Sequence, residues 1–323
     1  MALLIAELCQ NHNGDLKVLD EMVSAASSNG ADYAKIQAID SSELTFRKRF
    51  EEGLIEGGKV KVIKRPYQTE YERLKNLDLN EKTQVEFRSL CEKYKVKPMT
   101  TLFTRGKIEL IKKMNLEILK IASFDCASHQ MIDDLKYTGI KEFIISTGAT
   151  YDREIVRTAE IMKQNKLKFT FLHCVSIYPT PLENANLNRL NFLKKISSNV
   201  GISDHTNPSI DYFKNIALGI GMGAKIIEKH FTILPKDKTK DGPVSASPEQ
   251  LKKISEICKM NKDDLKKYID ENIPEKKIML GNEIRELSNT ELLNRDYYQG
   301  RFASKINGET IFNWDEKKLN HLY

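Results

Sequence analysis

The sequence predicts a (β/α)8 barrel, and three observations lead to that prediction. Short apolar runs, typical of buried parallel strands, recur from the N-terminus to about residue 230. A stretch with helical character follows each run, so that eight strand–helix pairs can be read in succession. Polar residues gather directly after the apolar runs, at the strand ends where barrels of this class carry their catalytic groups.

The elements are placed in chain order from these runs, with Asn80 as a typical helix N-cap. The predicted strands cover residues 3–7, 32–37, 97–102, 118–121, 143–146, 168–173, 199–202 and 224–227. The predicted helices cover residues 16–28, 81–94, 107–114, 128–137, 152–164, 188–196, 209–222 and 248–270.

Residues 38–79 interrupt this repeat with a long, polar and weakly patterned excursion. Arg65-Pro66-Tyr67 marks a break in it, and we expect a short helix near Tyr71. A functional loop and a surface insertion fit this excursion equally well.

The repeat ends at Pro274, so we assign residues 1–273 to a catalytic barrel domain and residues 274–323 to a C-terminal extension. In the extension we expect a helix over residues 283–293. We also expect a hairpin whose strands, 302–306 and 310–312, are joined at Asn307-Gly308.

Composition and charge narrow the class of protein. Forty per cent of the residues are hydrophobic, enough for a sizeable core, but no apolar run reaches the ~18 residues of a membrane span. The first residues lack a basic region and meet Glu7 early, which argues against a secretion signal. The net charge of +6 is spread over helical segments without an arginine-rich stripe or aromatic platform. We therefore expect small anionic ligands as partners, and neither nucleic acid nor a membrane.

The five cysteines are odd in number, widely spaced and without a C-x-x-C pair. This pattern argues against a disulfide framework and against a cysteine-based zinc site. A reducing cytoplasm fits it best.

Two histidines stand at equivalent strand ends and predict a metal site. His205 lies in Gly201–Thr206 and His230 in Glu228–Thr232, 25 residues apart, which is one strand–helix repeat. Adjacent strands lie roughly 4.8 Å apart, so both rings can reach one ion. A lone histidine is more often structural. Of the other histidines, we expect His173 to be packed in the core and His129 to begin a helix. His12 lies in a polar loop, where a structural and a functional role are equally supported, and His321 lies in the extension.

Two lysines near strand ends predict an anion pocket. Lys35 and Lys120 lie within apolar strands, where a charge is costly unless it has a partner. Hydroxyl residues follow or end the neighbouring strands, and this mixture of charge and donors suits a carboxylate or a phosphate. These hydroxyl residues are Thr101, Ser123, Ser146 and Ser203. Glu7, at the end of the first strand, lies beside the eighth strand once the barrel closes and so approaches His230.

These strand ends resemble those of the sialic acid synthase family, the bacterial nonulosonic acid synthases that include spore-coat polysaccharide proteins. The matching stretches run in the family's order from residue 5 to residue 232. They are Ile5-Ala6-Glu7, Asn11-His12-Asn13-Gly14, Lys35-Ile36-Gln37, Thr101-Leu102-Phe103, Lys120-Ile121-Ala122-Ser123, Ser146-Thr147-Gly148, residues 173–181, Gly201–Thr206 and Glu228–Thr232.

The resemblance implies a barrel that condenses phosphoenolpyruvate with an N-acetylated amino sugar such as N-acetylmannosamine, and it implies a homodimer. By motif, His205 and His230 are implied as ligands of a divalent metal, for which nitrogen ligands favour Mn²⁺, with Mg²⁺ or Co²⁺ as alternatives. The implied phosphoenolpyruvate and substrate contacts are Lys35, Thr101, Lys120, Ser123, Ser146, Ser176, Ser203 and Asp241. The implied catalytic groups are Glu7, Gln37, Asp125 and Tyr178.

Three features depart from the family pattern. Asp125 stands where a glutamate is usual, and Asp241 precedes Gly242-Pro243 instead of following the Gly-Pro pair. Residues 300–313 resemble only the start of the antifreeze-like domain that usually follows the barrel, so we expect a truncated form of it. We infer that the acceptor sugar is either unusual or bound with less cover from solvent.

Two other functions remain open on the sequence. A Schiff-base aldolase of a 2-keto acid would use Lys35 or Lys120 as its nucleophile. A catalytically inactive barrel would serve as a subunit or a sugar-binding module.

Overall fold

The computed structural model describes residues 1–319 and residue 322. Eight parallel strands of this part close into a barrel, in which each strand pairs with the barrel strand next in sequence and the last pairs with the first. Two short antiparallel hairpins, β3–β4 and β11–β12, lie outside it. The strands are β1 Leu3–Cys9, β2 Tyr33–Ala38, β3 Leu54–Glu56, β4 Lys59–Val62, β5 Lys97–Leu102, β6 Ile118–Ile121, β7 Glu142–Ser146, β8 Lys168–His173, β9 Asn199–Asp204, β10 Ile226–His230, β11 Ser304–Ile306 and β12 Glu309–Ile311. The predicted fold class is confirmed.

Helices surround the barrel and begin where the sequence offers side-chain caps. The carboxylate of Asp15 accepts from the backbone N–H groups of Lys17 and Val18, and Asn80 accepts from that of Thr83. The α-helices are Leu16–Ser28, Arg49–Glu52, Tyr67–Lys75, Glu81–Lys93, Ile108–Met114, His129–Asp134, Asp152–Gln164, Arg189–Lys194, Lys214–Gly221, Pro248–Lys259, Lys262–Asn272, Lys276–Leu280 and Asn289–Tyr298. Across the described chain, no helix combines the length and apolarity that a membrane crossing requires.

Three of the helix predictions were wrong in their bounds. The helix predicted over 248–270 is two helices, because Asn261 caps a second one that begins at Lys262. The helix predicted over 209–222 begins only at Lys214, after Phe213 has adopted a positive φ of 64°. The helix predicted over 283–293 begins at Asn289, since Ser288 forms a capping box there.

The barrel has an apolar floor. Side chains of a strand alternate between the two faces, and the inward-facing residues near the strand starts form one cluster. Its members are Ile5, Tyr33, Met99, Ile118, Ile144, Leu172 and Ile226. Two residues further along most of these strands, the inward-facing side chain is polar, so the barrel is closed at one end and polar toward the other.

The excursion and the C-terminal extension pack against each other near that polar end. The backbone of Glu43 accepts from the N–H of Ala303, and the hydroxyl of Thr45 donates to the carbonyl of Gly300. The predicted hairpin is confirmed as β11–β12, with Asn307 and Gly308 both at positive φ. The division into domains at residue 273 stays a prediction.

A buried arginine ties the extension to the barrel. The Nε of Arg105 lies 2.6 Å from a carboxylate oxygen of Asp134, and both side chains are fully buried. Its two terminal nitrogens donate to the carbonyls of Asp315 and Lys317 at 2.8 Å each. One guanidinium therefore anchors the last described segment of the chain.

We predict that Arg105→Ala lowers the free energy of unfolding by about 3–5 kcal/mol, because the Asp134 carboxylate loses its buried guanidinium. Urea denaturation would measure the loss, and limited proteolysis should cut the extension sooner. Arg157→Ala, which removes only a half-exposed pair with Glu160, should cost less than about 1 kcal/mol. Equal stability of the two variants would contradict this role of Arg105.

Candidate active site

The layer above the apolar floor begins with Lys35. β2 turns Lys35 into the barrel, where its ammonium contacts the carboxylate of Glu7 from β1 and donates to the hydroxyl of Thr101 on β5 at 2.9 Å. The side chains of Lys35 and Glu7 are only 2% and 3% exposed. Because the Thr101 oxygen already accepts from the lysine, its own hydrogen remains available to a ligand.

Lys120 and Glu228 complete this layer. The ammonium of Lys120, on β6, donates to Ser146 at 2.7 Å and lies 3.7 Å from Glu228 on β10. Glu228 also lies 3.5 Å from the ammonium of Lys35 and accepts from the hydroxyl of Ser203 at 2.7 Å. Both predicted lysines thus face inward and share one carboxylate.

The charges of this layer balance without a ligand. Two ammonium groups, on Lys35 and Lys120, meet two carboxylates, on Glu7 and Glu228. Burial alone would raise the pKa of Glu228, but the charges of Lys120 and Lys35 outweigh it and hold that pKa at about 2. Burial lowers the pKa of Lys35 to about 8, against the opposing charge of Glu228. A multiply charged anion bound here would need a further positive charge nearby.

The two predicted metal ligands lie above the lysine layer. The ring centroids of His205 and His230 are 5.4 Å apart. One ring nitrogen of His205, Nδ1, lies 3.3 Å from the carbonyl of Val175, which leaves Nε2 to act as a ligand. Tyr178, 43% exposed, packs against His205 with ring centroids 4.3 Å apart. Burial, with a smaller effect of His230, lowers the pKa of His205 to about 3, so this ring is neutral as a metal ligand must be.

A second group of possible ligands meets at His230. Its Nδ1 lies 3.8 Å from a carboxylate oxygen of Asp241, which is a third exposed. The Sγ of Cys9, a ring nitrogen of His230 and an oxygen of Asp241 all lie within 4.8 Å of one another. A divalent ion fits this set, since imidazole, thiolate and carboxylate are all ligands of such ions.

A cradle of small polar atoms lies beside β7. Ser123 Oγ and Cys174 Sγ are 2.9 Å apart, and Ser176 is fully buried with its hydroxyl unpaired among the described residues. A Cβ at Gly148 would lie 2.5 Å from Ser176 Oγ and 2.6 Å from Cys174 Sγ. The Ser146-Thr147-Gly148 turn therefore needs glycine for close approach, and the cradle offers an unused hydroxyl.

The remaining predicted residues lie around this centre. Gln37 ends the inward face of β2 beyond Lys35 and is partly exposed. Asp125 lies farther to one side, where it accepts from Asn313 of the extension at 2.8 Å and from Ser128 at 3.1 Å. Burial raises the pKa of Asp125 to about 6, against these hydrogen bonds. The catalytic roles of both residues stay predictions.

Two other histidines, His173 and His129, have the structural roles that the sequence predicts. His173 is buried and bonds the carbonyl of Ala185 at 2.7 Å, and His129 begins a helix. His12 is buried and accepts from the N–H of Gly14 through Nδ1, a local turn contact. His321 lies outside the described residues.

The strand ends single out Glu228 as a candidate without a specific role, and they do not single out Cys9 or Lys229. Strand alternation places Glu228 on the same inward face as His230, two residues before it, whereas Cys9 lies beyond the register shift that follows Glu7. Lys229 points the other way and forms a fully buried ion pair of 2.5 Å with Asp204. Asp204 thereby fixes the end of β9 next to His205.

Cationic side chains surround a single buried carboxylate at the rim of the barrel. Glu70, in the excursion, accepts two bonds of 2.9 Å from Arg73 and contacts Arg301 of the extension, while Lys240 lies 3.8 Å away. Arg73 also reaches the side-chain oxygen of Gln10, just past β1. Burial alone would raise the pKa of Glu70, but the bonds from Arg73 and the charges of its neighbours lower it to about 2.

The chain is similar in sequence to a known protein family and to several enzymes. The model of the NeuB family matches residues 22–268. The N,N'-diacetyllegionaminic acid synthase of Campylobacter jejuni is 30% identical over 285 residues, covering 82% of this chain and 79% of that protein. A pseudaminic acid synthase of Campylobacter jejuni is 29% identical over 310 residues, covering 94% and 81%.

A solved structure is similar along nearly the whole chain. The N-acetylneuraminic acid synthetase of Leptospira borgpetersenii, in complex with citrate, superimposes with a TM-score of 0.69 at 27% identity, covering 92% of this chain and 90% of that one.

We predict that Glu228→Ala lowers the free energy of unfolding by about 3–5 kcal/mol, because two buried ammonium groups lose a shared carboxylate. Thermal and urea denaturation would measure the change. Glu142→Ala, at the opposite end of the barrel and half-buried, should cost less than about 1 kcal/mol. If the two variants have the same free energy of unfolding, the stability of the lysine layer does not depend on Glu228.

We predict an acid-sensitive contribution from Glu70. Its pKa is about 2 in the folded chain and near 4.5 in the unfolded chain, so the contribution, roughly 3 kcal/mol, is present above pH 4.5 and disappears toward pH 2. The stability difference between the wild type and Glu70→Gln should therefore shrink between pH 6 and pH 3. Glu72→Gln, on the exposed side of the same helix, should show a small difference that does not change with pH.

Proposed function

The chain belongs to the NeuB family, and we propose that it is a synthase that joins phosphoenolpyruvate to an N-acetylated amino sugar. The products would be a nonulosonic acid and inorganic phosphate. The single observation that carries this proposal is the pair of inward-facing ammonium groups, Lys35 and Lys120, set beneath two histidines in a barrel with a closed floor.

The lysine layer supplies what a phosphorylated three-carbon acid needs. Lys35 and Lys120 would hold its carboxylate and phosphate, and the hydroxyls of Thr101 and Ser146 keep hydrogens free to donate. Ser123 and Ser176 extend this set of donors, whereas the hydroxyl hydrogen of Ser203 is already donated to Glu228. Fixed positioning of this kind can contribute about 7–11 kcal/mol toward a bimolecular step.

The proposed reaction balances with water as the third reactant. The C3 carbon of phosphoenolpyruvate forms a bond to the aldehyde carbon of the open-chain sugar, and the aldehyde oxygen takes up a proton to become a hydroxyl. Water adds to C2, the C2–oxygen bond to phosphate breaks, and phosphate leaves. Glu7, held between Lys35 and the N–H of Cys9, is placed to exchange a proton at this layer.

A divalent ion is part of the proposal. The neutral ring of His205, the Nδ1 of His230, which has no hydrogen-bond partner in the described part of the chain, and the carboxylate of Asp241 are suited to hold it. When bound, the ion would supply Lewis acidity toward an aldehyde oxygen and the positive charge that the balanced lysine layer lacks. The two nitrogen ligands by themselves favour Mn²⁺ over Mg²⁺, with Co²⁺ as an alternative.

The sugar would lie between the histidines and the rim. Gln37 and the exposed ring of Tyr178 face this space by resemblance, and Asp241 borders it. An N-acetylmannosamine-like aldehyde is the acceptor class we propose. A homodimer and a cytoplasmic location are proposed with it, the second because all five cysteines are free thiols.

One observation favours a second candidate. The pKa of Lys35 is lowered to about 8 by burial, which increases the fraction of neutral amine that a Schiff-base aldolase of a 2-keto acid needs. Borohydride reduction in the presence of pyruvate would trap that adduct on Lys35. An inactive sugar-binding barrel is less well supported, because the charged groups of the lysine layer are retained and mutually oriented.

The proposal is tested by phosphate release from phosphoenolpyruvate. The acceptors are the six-carbon amino sugars that correspond to N-acetylneuraminic, legionaminic and pseudaminic acids, each assayed with Mn²⁺, Mg²⁺, Co²⁺ and Zn²⁺. We expect one acceptor to give turnover and Lys120→Met or His205→Ala to reduce it at least about 100-fold. Lys168→Met, an exposed lysine at the far end of a barrel strand, should retain activity.

Two results would overturn the proposal. One is the absence of phosphate release with every acceptor and metal, and the other is turnover that survives both Lys120→Met and His205→Ala. Borohydride trapping of pyruvate together with insensitivity to chelators would favour the aldolase instead.

A further inference from the structure

Cys9 occupies an unfavourable backbone conformation at the end of β1. Its φ is +39°, in the left-handed region that a side chain with a Cβ disfavours by about 1–2 kcal/mol. The pairing register between β1 and β2 also shifts between Glu7 and Cys9, as in a bulge that redirects a side chain. Glycine would adopt this conformation at no such cost. Strained backbone conformations cluster at active sites and ligand-binding sites, which makes the side chain of Cys9 a candidate ligand.

The redirected side chain meets an unsatisfied partner. The Nδ1 of His230 has no hydrogen-bond partner among the described residues, although the residue is only 8% exposed. A buried polar atom left in this way costs about 1–3 kcal/mol. Cys9 Sγ and a carboxylate oxygen of Asp241 lie within 4.8 Å of a ring nitrogen of His230.

The spacing suits a common ion. Two ligands bound at 2.0–2.3 Å in a tetrahedral arrangement lie about 3.3–3.8 Å apart. The Nδ1 of His230 and the Asp241 carboxylate are 3.8 Å apart, a few tenths of an ångström more than the separation of about 3.3–3.6 Å expected for a nitrogen and an oxygen ligand at 2.0–2.2 Å. The ring of His205 lies 5.4 Å from that of His230, and because its Nδ1 faces a carbonyl, its Nε2 is available as a further ligand.

We propose that Cys9 is a metal ligand, so that the ion of this site is bound by a thiolate, the imidazole of His230 and the carboxylate of Asp241, with His205 as the fourth ligand. On binding, the Cys9 S–H bond breaks, its proton passes to solvent and the sulfur forms the bond to the ion. The position of this site rests on the proposed function, but the ligand set is argued from the mutual spacing of Cys9, His230 and Asp241 and from the packing of His205 against His230.

A thiolate changes which metal the site prefers. Sulfur is a softer ligand than nitrogen or oxygen and favours Zn²⁺, Co²⁺ or Fe²⁺ over Mn²⁺ and Mg²⁺. The preference inferred from the two histidines alone therefore moves from Mn²⁺ toward Zn²⁺ and Co²⁺. Asp241 gains a role as a ligand in place of the substrate contact that the resemblance implied.

The test is a titration of chelator-treated, reduced full-length protein with Co²⁺ under anaerobic conditions and without substrates. Thiolate ligation gives an intense near-ultraviolet sulfur-to-cobalt charge-transfer band. We expect this band in the wild type and its loss in Cys9→Gly. Affinity in that variant should fall by more than the roughly 10- to 100-fold that loss of an outer-sphere partner costs.

Cys9→Gly is chosen because glycine suits the φ of +39°, so the metal-free variant should unfold at a temperature equal to or above that of the wild type. Asp241→Asn should keep the band with weaker binding. Cys258→Ala, a buried cysteine in the helix Pro248–Lys259, is the matched control and should keep both the band and the affinity.

A wild-type cobalt complex without the band, or equal Co²⁺ affinity in Cys9→Gly, would overturn the proposal. These outcomes are distinct from failure of the proposed function, since no substrate is present. A thiolate band without phosphate release from any acceptor would support the proposed metal site and contradict the proposed synthase activity. Phosphate release by the wild type, together with unchanged metal binding in Cys9→Gly, would support the synthase activity and contradict the role of Cys9 as a ligand.

Discussion

Charges buried inside a closed barrel must be paired, and this constraint governs the centre of the molecule. Lys35 and Lys120 are tolerated above an apolar floor only because Glu7 and Glu228 lie against them. The same pairing orients the four side chains with little freedom, so the layer is organised before any ligand arrives. Its balanced charge also explains why groups suited to a cation lie in the next layer, around His205 and His230.

Much of this arrangement can be predicted from the sequence because it depends on periodicity. The apolar runs define the strands, and alternation along them turns Lys35 and Lys120 inward once the barrel closes. The spacing of one strand–helix repeat brings His205 and His230 together for the same reason. Local capping signals located several helices closely, including the one that begins after Asn80.

The failures have physical causes that no repeat encodes. The helix expected from residue 209 is delayed by positive φ at Tyr212 and Phe213, which are bulky residues that do not signal such a turn. Asp125 and Glu70 each have one partner in the extension, Asn313 and Arg301, at separations of 188 and 231 residues, and only the folded chain shows these two partners. Cys9 escaped notice because its role depends on a bulge that periodicity does not reveal.

The sealed floor of the barrel has a kinetic consequence. Since the cluster around Ile5, Met99 and Ile144 blocks one end, traffic to and from the centre passes through a single mouth. The ammonium of Lys35 lies nearer the blocked end than the imidazole of His230 does. Lys35 is two residues beyond the floor residue Tyr33 and contacts Glu228, whereas His230 is four residues beyond the floor residue Ile226. Under the proposed chemistry, the phosphorylated acid binds before the sugar, because a bound sugar would block the path from the mouth to the lysine layer. The bound sugar would also prevent the acid from dissociating. Such compulsory ordering follows from depth alone, without any moving lid.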